Sequence, residues 1–341
     1  MSKLISFTET GLFCKQGNFY IDPWKPVDFA IITHGHSDHA RIGHKHYLCH
    51  TLTKPILQLR LGENNYQTLA WNEPVFINGV KISLHPAGHI IGSSQVRIEY
   101  KGEVWVFTGD YKTVDDGISG QYEAIRCNSF ITESTFGLPI YKWKPQQEIY
   151  NNIQDWVQQN QQDDKTSVLI AYSLGKAQRV MDAVKNITDT VYVHGAIFNM
   201  QQVLDGMGYS FVQVKRISAE TTKQELKNAI VIAPPSADGT AWMKKLNPYR
   251  LGLCSGWMQV RGNVRRRNAD IGFALSDHCD WQGLLSSISA TGAENVYVTH
   301  GFQSVLSKYL NEKGIAAWEV KTQYGAEEDE PVTDQTNPIE P

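Results

Sequence analysis

Apolar runs separated by short polar turns fill the first third of the chain. The dipeptides Asn78-Gly79 and Lys101-Gly102 each lie between two such runs, and this arrangement predicts β-hairpins with tight turns. A short helix is predicted near residues 54–61. Residues 3–110 are therefore expected to form mostly strands.

The pattern changes after Pro145, where stripes of apolar residues at helical spacing alternate with short apolar runs. The stripes comprise Ile149, Ile153, Trp156 and Val157, then Ala177, Val180, Met181 and Val184, then Met200, Val203 and Leu204. The runs between them are residues 167–171, 191–193 and 230–233, and we expect the last run to close the series. Such alternation predicts a small parallel sheet flanked by helices.

From about residue 256 the chain is expected to return to the first domain, with helical stripes near Leu284 and Leu306 and a strand that ends at His300. We therefore predict a first domain formed by residues 1–143 and 256–325, and an inserted α/β domain formed by residues 144–255. Residues 326–341 are rich in acids and proline, so this tail is expected to be disordered.

Length and composition agree with a two-domain protein. The chain has 341 residues, of which 41% are hydrophobic, and this exceeds what one compact domain usually holds. It has neither a signal-like apolar stretch after Met1 nor a run of about 18 apolar residues, so we expect a cytoplasmic protein without a membrane partner. The five cysteines are scattered, which favours reduced thiols, and Cys279 is expected to be a packing residue.

The net charge of −3 hides an uneven distribution. Acidic residues crowd the last segment, whereas one basic cluster consists of Arg261, Arg265, Arg266 and Arg267. Local clusters steer phosphates more than overall charge does, so these arginines are candidates for nucleic-acid binding. The alternative is an ordinary solvated face.

The densest candidate chemistry follows the apolar run at residues 29–33. There, two histidines, an aspartate and a third histidine occur within six residues: His34, His36, Asp38 and His39. Three further candidates lie where predicted strands end: His89, Asp110 and His300. Imidazole and carboxylate groups bind Zn²⁺ and similar ions, so the pattern predicts a metal site, with two ions as an arrangement that the spacing permits. The alternative is a set of unrelated polar residues in loops.

These residues resemble the metallo-β-lactamase superfamily, in which an early strand-end aspartate, here Asp22, orients the metal loop. Glu133, His278 and His300 lie in motifs that resemble, in order, the three extra motifs of the β-CASP nuclease branch. The segment from Ser255 to His278 is most similar to the bacterial DNA ligase-associated exonuclease family. The resemblance covers about residues 3–325 and implies an αββα sandwich with an inserted α/β β-CASP domain.

The resemblance also implies roles for the residues. Two divalent ions are expected, Zn²⁺ first and Mn²⁺ as the alternative. One would be held by His34, His36, His89 and Asp110, and the other by Asp38, His39, Asp110 and His300. Asp38, Glu133 and His278 are the expected catalytic residues. His278 would face the phosphate, and Glu133 would orient the His278 ring. Asp277 and Asp280 would either join that pair or be exposed turn carboxylates.

The implied function is a DNA exonuclease in repair, working beside an ATP-dependent DNA ligase. A β-CASP ribonuclease acting on RNA remains open, because many DNA-acting members replace the last histidine, whereas His300 is present. A small-molecule hydrolase of the lactamase or thioesterase kind is disfavoured, since such enzymes have neither the insert nor the Glu133/His278 pair. An inactive nucleic-acid-binding scaffold is disfavoured because every ligand position is filled.

Overall fold

The N-terminal part of the chain forms a mixed β-sheet. The computed structural model describes residues 3–324, so the tail predicted at residues 326–341 lies outside the described residues. In chain order the elements are β1 (Ile5–Phe7), β2 (Leu12–Cys14), β3 (Phe19–Ile21), β4 (Phe29–Ile31), β5 (His46–His50), α1 (Thr53–Leu61) and β6 (Tyr66–Leu69). The strands lie in the order β1-β2-β3-β4-β5-β6, and the helix predicted near residues 54–61 is confirmed.

The following strands begin a second sheet. They are β7 (Val75–Ile77), β8 (Val80–Pro86), β9 (Ser94–Tyr100), β10 (Glu103–Phe107) and β11 (Ser129–Ser134). Both predicted hairpins are confirmed. Their turn residues have left-handed backbone angles, with φ of 49° at Asn78 and 81° at Gly79, and 51° at Lys101 and 83° at Gly102. These angles suit two-residue turns whose twist matches that of the strands.

Helices and strands then alternate to build a third sheet. In chain order the elements are α2 (Gln146–Gln162), β12 (Thr166–Ile170), α3 (Lys176–Val184), β13 (Thr190–Val193), α4 (Gly195–Gly206), β14 (Gln213–Arg216), α5 (Lys223–Leu226), β15 (Ile230–Ala233), β16 (Tyr249–Cys254), α6 (Arg261–Arg266) and β17 (Ile271–Phe273). Short 3₁₀ segments occur at Pro235–Ala237, Ala241–Leu246 and Gly256–Gln259. The strand order is β14-β13-β15-β12-β16-β17, and neighbouring strands are parallel.

The expectation that residues 230–233 close the third sheet is wrong. Strands β16 and β17 extend the sheet on the other side of β12. The outermost strand ends at Phe273, beyond residue 255, where we expected the inserted domain to end. The division of the chain into domains stays a prediction, and β17 favours an end of the insert near residue 273.

The remaining elements complete the second sheet. They are α7 (Trp281–Thr291), β18 (Asn295–Gly301), α8 (Gln303–Glu312) and β19 (Ala316–Glu319). The full order of the second sheet is β19-β18-β11-β10-β9-β8-β7. Strand β18 pairs in parallel with β11, so a segment close to the C-terminus lies beside strands formed much earlier in the chain.

The first two sheets pack face to face around an apolar core that includes Phe19 and Ile21 from one sheet and Trp105 and Phe107 from the other. Helix α1 covers the outer face of the first sheet, while α7 and α8 cover the outer face of the second. The third sheet has apolar clusters on both faces, as expected for parallel strands buried on both sides. The predicted α/β class is therefore confirmed.

Two smaller expectations concern the cysteines and the membrane. Cys279 is buried in the core beneath α7 and α8, in agreement with a packing role. Among residues 3–324 there is no helix with the length and apolar character that a membrane crossing requires.

Candidate metal centre

The candidate metal ligands converge where strands of the two packed sheets end. Strand β4 leads into the loop that carries His34 to His39, and β8 leads into the loop that carries His89. Asp110 follows β10, and His300 lies near the end of β18. The strand-end pattern of the sequence therefore corresponds to one place in the fold.

Glycines beside two of these candidates allow the loops to pack closely. Gly88 has φ of +74°, and a Cβ atom there would lie 2.3 Å from the backbone oxygen of Lys112. Gly109 has φ of +56°, and a Cβ atom there would lie 2.7 Å from the hydroxyl of Thr33. Because any larger residue would collide with these neighbours, glycine is needed at both places.

The first group consists of His34, His36, His89 and Asp110, whose ligand atoms all lie within 4.8 Å of one another. His34 Nε2 is 3.5 Å from Asp110 Oδ2, and His89 Nε2 is 3.8 Å from the same oxygen. His36 Nδ1 and His89 Nε2 are 3.0 Å apart. Three nitrogens and a carboxylate oxygen therefore face one small volume, which suits a single divalent ion.

The second group consists of His39, Asp110 and His300. His39 Nε2 is 3.5 Å from Asp110 Oδ1, and His300 Nε2 is 3.1 Å from it. Asp38, predicted to belong here, has Oδ2 3.6 Å from His39 Nε2. The two oxygens of Asp110 thus face different groups, as a carboxylate shared between two ions would.

Asp22 holds the outer side of the metal loop. Its Oδ1 accepts a hydrogen bond from the backbone N–H of Thr33 at 2.8 Å, and its Oδ2 accepts from the Thr33 hydroxyl at 2.5 Å. The same Oδ2 accepts from His39 Nδ1 at 2.7 Å. The bond to His39 fixes a proton on Nδ1, so that Nε2 is the nitrogen available to a metal ion.

The other histidines follow the same rule. Thr33 Oγ1 gives its proton to Asp22 and accepts from His34 Nδ1 at 2.9 Å. His89 Nδ1 donates to the backbone oxygen of Asp277 at 2.9 Å, and His36 Nε2 donates to that of Leu174 at 3.2 Å. Each outer nitrogen therefore carries the proton, and each inner nitrogen turns a lone pair towards the centre.

Burial and charge make this arrangement fit a cation. His34 Nε2 and His39 Nε2 are buried and form no hydrogen bond with any residue that the structure describes. Burial lowers the pKa of His34, His36 and His89, so these rings are neutral near pH 7. Unpaired polar atoms in the interior are costly, and ligand nitrogens that face one carboxylate therefore fit a divalent metal.

His39 and Asp110 form the charged part of the centre. Burial opposes a charge on His39, but the carboxylates of Asp110 and Asp38 outweigh it and raise the pKa of His39 well above its ordinary value. Burial likewise opposes the Asp110 carboxylate, but His39 and His300 hold the pKa of Asp110 well below its ordinary value. A cation that binds here would therefore displace a proton from His39.

The predicted pair of Glu133 and His278 lies beside the first group. His278 Nδ1 is 2.8 Å and 2.9 Å from the two carboxylate oxygens of Glu133, and both side chains are buried. Glu133 is itself held by the backbone N–H of Tyr111, at 2.9 Å, and by Thr135. The ring of His278 lies 4.5 Å from that of His89, centroid to centroid. His278 is therefore fixed at the edge of the first group.

The two aspartates that flank His278 have different roles. Asp277 is fully buried and its Oδ1 lies 2.8 Å from Lys176 Nζ, so it is part of an internal ion pair. Asp280 caps α7, because its Oδ1 accepts from the backbone N–H of Gly283 at 2.8 Å. Of the two alternatives left open by the sequence, Asp277 joins the site and Asp280 is a capping residue.

Sequence reasoning missed several residues of the centre: Thr33, Thr299, Lys176, Arg179 and Tyr324. Tyr324 stacks on His39 and also contacts His300 edge-on, with ring centroids 5.6 Å apart. Threonine beside a ligand histidine is a local signal that could have identified Thr33 and Thr299. The other three lie far from most of the candidate ligands in sequence, and no spacing pattern links them to the centre.

The arginine cluster is far in sequence from most of the candidate metal ligands. It directly follows the 3₁₀ segment that carries Trp257. The side chains of Arg265, Arg266 and Arg267 are exposed, at the end of α6 and just after it. The side chain of Arg261 lies outside the described part of the structure. Trp257 packs on Phe136, which in turn contacts His278, so α6 begins only a few residues from the wall of the site.

Comparison with curated proteins identifies relatives among nucleic-acid enzymes. The chain is 29% identical to a protein named "Probable DNA ligase" from Opitutus terrae over 314 residues, which is 91% of this chain and 30% of that protein. It is 26% identical to "RNase aCSPSF2" of Saccharolobus solfataricus over 155 residues (44% and 31%), and 29% identical to "Endoribonuclease YSH1" of Saccharomyces cerevisiae over 117 residues (34% and 15%). The resemblance to β-CASP nucleases is confirmed.

The similarity covers only part of each relative, and the solved structure adds a likeness of fold. No family model matches the chain. The chain spans less than a third of each of these curated relatives. A solved structure of a protein of unknown function from Enterococcus faecalis is 13% identical, with a TM-score of 0.58 over 89% of this chain and 79% of that one. That likeness concerns the fold alone.

Proposed function

We propose that this chain is a metal-dependent phosphodiesterase that acts on nucleic acid, and most specifically a DNA exonuclease of the β-CASP type that works in repair. The observation that carries the proposal is the placement of Asp110. Its two oxygens face two groups of histidines, while the His278–Glu133 pair lies next to the first group. Two cation sites beside an acid–base residue suit the hydrolysis of a phosphodiester.

The fold that we propose is an αββα sandwich with an inserted domain, as in the metallo-β-lactamase superfamily. The layers support this, since α1 lies outside one sheet and α7 and α8 lie outside the other. The third, parallel sheet would be the inserted β-CASP domain. Loops that follow β12 and β17 provide Leu174 and Asp277 to the centre, so the site would lie between the two domains.

Two divalent ions would be held by the residues already described. One would be bound by His34, His36, His89 and Asp110, and the other by Asp38, His39, Asp110 and His300. Such ions supply positive charge to a scissile phosphate and lower the pKa of water. Zn²⁺ fits the nitrogen-rich donor set best, and Mn²⁺ is the alternative.

The chain's own acid would be His278. Glu133 accepts a hydrogen bond from the N–H at His278 Nδ1 and stabilises the protonated ring, which leaves Nε2 to carry a second proton. The attacking water would release one proton to solvent as its oxygen bonds to phosphorus. The bond from phosphorus to the 3′ oxygen of the preceding nucleotide would break, the Nε2 proton of His278 would pass to that leaving oxygen, and His278 would then regain a proton from solvent. The products would carry a 5′-phosphate and a 3′-hydroxyl. Asp22 and Thr33 orient the ligands and take no part in proton transfer.

DNA is the substrate that the relatives favour. The alignment with the probable DNA ligase covers 91% of this chain, whereas those with the two ribonucleases cover 44% and 34%. Most of this chain, insert included, therefore has its counterpart in a protein named for DNA chemistry. We infer that the chain works in the same process as an ATP-dependent DNA ligase, by trimming ends that the ligase joins.

A β-CASP ribonuclease is the second candidate. His300 favours it, because many DNA-acting members of the family that the chain resembles replace this histidine. Here its Nε2 lies 3.1 Å from Asp110 Oδ1 and completes the second group. The shorter alignments with "RNase aCSPSF2" and "Endoribonuclease YSH1" point the same way.

One experiment separates the two candidates. End-labelled DNA and RNA of the same sequence, each single- and double-stranded, are digested in parallel with Zn²⁺ or Mn²⁺. The DNA proposal expects stepwise shortening of DNA at a rate at least about tenfold above that of RNA, a difference of about 1.4 kcal/mol in transition-state stabilisation. Asp110→Ala is the control for contaminating nucleases. Preference for RNA by the same margin would replace the DNA exonuclease with the ribonuclease.

A further inference from the structure

The two halves of the candidate centre are supported from different parts of the fold. In the second group, His39 is held by Asp22, and His300 Nδ1 lies 3.4 Å from the hydroxyl of Thr299. All of these supports belong to the two packed sheets. In the first group, two histidines are held by backbone oxygens from the segments around the third sheet. These oxygens belong to Leu174, after β12, and Asp277, after β17.

Two buried ion pairs fix those segments in place. At the start of α3, Lys176 Nζ lies 2.8 Å from Asp277 Oδ1, with side-chain exposures of 1% and 0%. One turn later, Arg179 pairs with Asp116 and donates to the backbone oxygen of His89 at 2.7 Å. Helix α3 therefore connects the third sheet to both the His89 loop and the Asp277 loop.

The turn before α3 is packed just as tightly. Gly175 has φ of +93°, and a Cβ atom there would lie 2.5 Å from Ile90 and 3.0 Å from Asp277 Oδ2. Leu174 packs against Ile56 and Ile90 in an apolar cluster between α1 and α4. The position of the Leu174 oxygen thus depends on the packing of the turn before α3 against the His89 and Asp277 loops, which the two ion pairs also hold in place.

We propose that docking of helix α3, through the Lys176–Asp277 and Arg179–Asp116 pairs, sets the metal affinity of the His36/His89 group and leaves that of the His39/His300 group nearly independent. Lys176 and Arg179 are positioning residues, since they act on the ligands through backbone oxygens. The inference rests on the proposed metal centre. Partners that orient ligand histidines commonly contribute about 10- to 100-fold to metal affinity.

The test measures metal affinity at one group at a time. Removing His300 isolates the first group, and removing His89 isolates the second. In the His300→Ala background, Lys176→Met weakens Zn²⁺ binding by about 10- to 100-fold in chelator competition. In the His89→Ala background, the same substitution changes it by less than about twofold. Lys185→Met is the matched control, because Lys185 directly follows the same helix and its exposed side chain pairs with Asp182, away from the ligand loops.

A second pair of variants guards against simple unfolding. Removing Lys176 alone leaves a buried carboxylate unpaired, which is strongly destabilising. Lys176→Met/Asp277→Asn removes both charges, keeps the Asp277 backbone oxygen, and gives the same group-specific loss. Arg179→Met/Asp116→Asn tests the second pair in the same way. Circular-dichroism melting curves verify that each variant is folded.

The outcomes are distinct. Equal weakening of both groups, or of neither, in folded variants overturns the docking proposal and leaves the metal centre intact. If the parent His300→Ala and His89→Ala proteins bind no Zn²⁺ at all, the metal centre itself is wrong, and the docking proposal falls with it.

Discussion

The phenol ring of Tyr324 lies flat on the imidazole of His39, with centroids 4.4 Å apart and planes inclined by 8°. The Tyr324 hydroxyl donates to the backbone oxygen of Asp22 at 3.3 Å. One side chain therefore contacts both His39 and the residue that orients it. Tyr324 follows the last strand of the second sheet, so the C-terminal part of the described chain covers the loop that begins after β4.

Replacing Tyr324 tests whether this stacking positions His39. Tyr324→Leu removes the flat ring, and we expect Zn²⁺ at the second group to bind about tenfold more weakly, in the range seen for partners that orient ligands. Tyr324→Phe keeps the ring and loses only the hydroxyl, so its affinity should stay within about threefold of wild type. Chelator competition in the His89→Ala background measures the second group alone. Equal losses in both variants would assign the effect to the hydroxyl.

Asp110 is expected to be indispensable to both groups. Because its oxygens face different histidines, Asp110→Ala should lose both ions and all hydrolysis, whereas His36→Ala should lose one ion. Elemental analysis after dialysis counts the ions, and circular dichroism shows whether each variant is folded. Full metal occupancy in folded Asp110→Ala would contradict the shared-ligand assignment.

His278 should matter for the reaction and not for metal content. His278→Ala is expected to retain both ions and to lose about 10²- to 10⁴-fold in kcat, as is usual for general acid–base residues. Glu133→Gln keeps the hydrogen-bond geometry but removes the carboxylate charge, so its loss should be smaller than that of His278→Ala. Single-turnover digestion of labelled DNA and elemental analysis measure the two effects. Loss of one ion from His278→Ala would make this histidine a ligand.

Much of the fold was predictable because its elements have strong local patterns. The hairpin at Asn78-Gly79 combines a turn sequence with apolar runs on both sides, and both signals agree. The clustering of the candidate ligands was also predictable, since they lie in loops that follow apolar strands or, for His300, near the end of one. Strand ends are local features, so their position could be inferred without the tertiary structure.

The rest depends on contacts between residues far apart in the chain. Lys176 and Asp277 are separated by about a hundred residues, and neither spacing nor periodicity indicates that they pair. Strand β17 comprises only Ile271–Phe273, too short for a period to be recognised. Tyr324 could not be found for the same reason, because its stacking on His39 arises only when the second sheet is complete.

The last prediction concerns how nucleic acid is held. Arg265, Arg266 and Arg267 are exposed at the end of α6 and just after it. Trp257, in the 3₁₀ segment before α6, packs on Phe136 at the wall of the site. Guanidinium groups pair with phosphate oxygens through parallel hydrogen bonds, and each contact releases counterions. Replacing the three arginines by alanine should therefore raise the KM for DNA and reduce the slope of log KM against log salt by about one to three.

Two controls make this prediction specific. Hydrolysis of bis-p-nitrophenyl phosphate, which is too small to reach α6, should remain nearly unchanged in the triple variant. Lys15, Lys81 and Lys101 lie near strand ends opposite the metal ligands, so replacing these three by alanine removes the same charge from a remote surface. If both triple variants alter the salt slope equally, the effect is one of overall charge; if neither alters it, the arginines are a solvated face. Only a change confined to the arginine variant supports a strand of DNA passing along α6 towards His278.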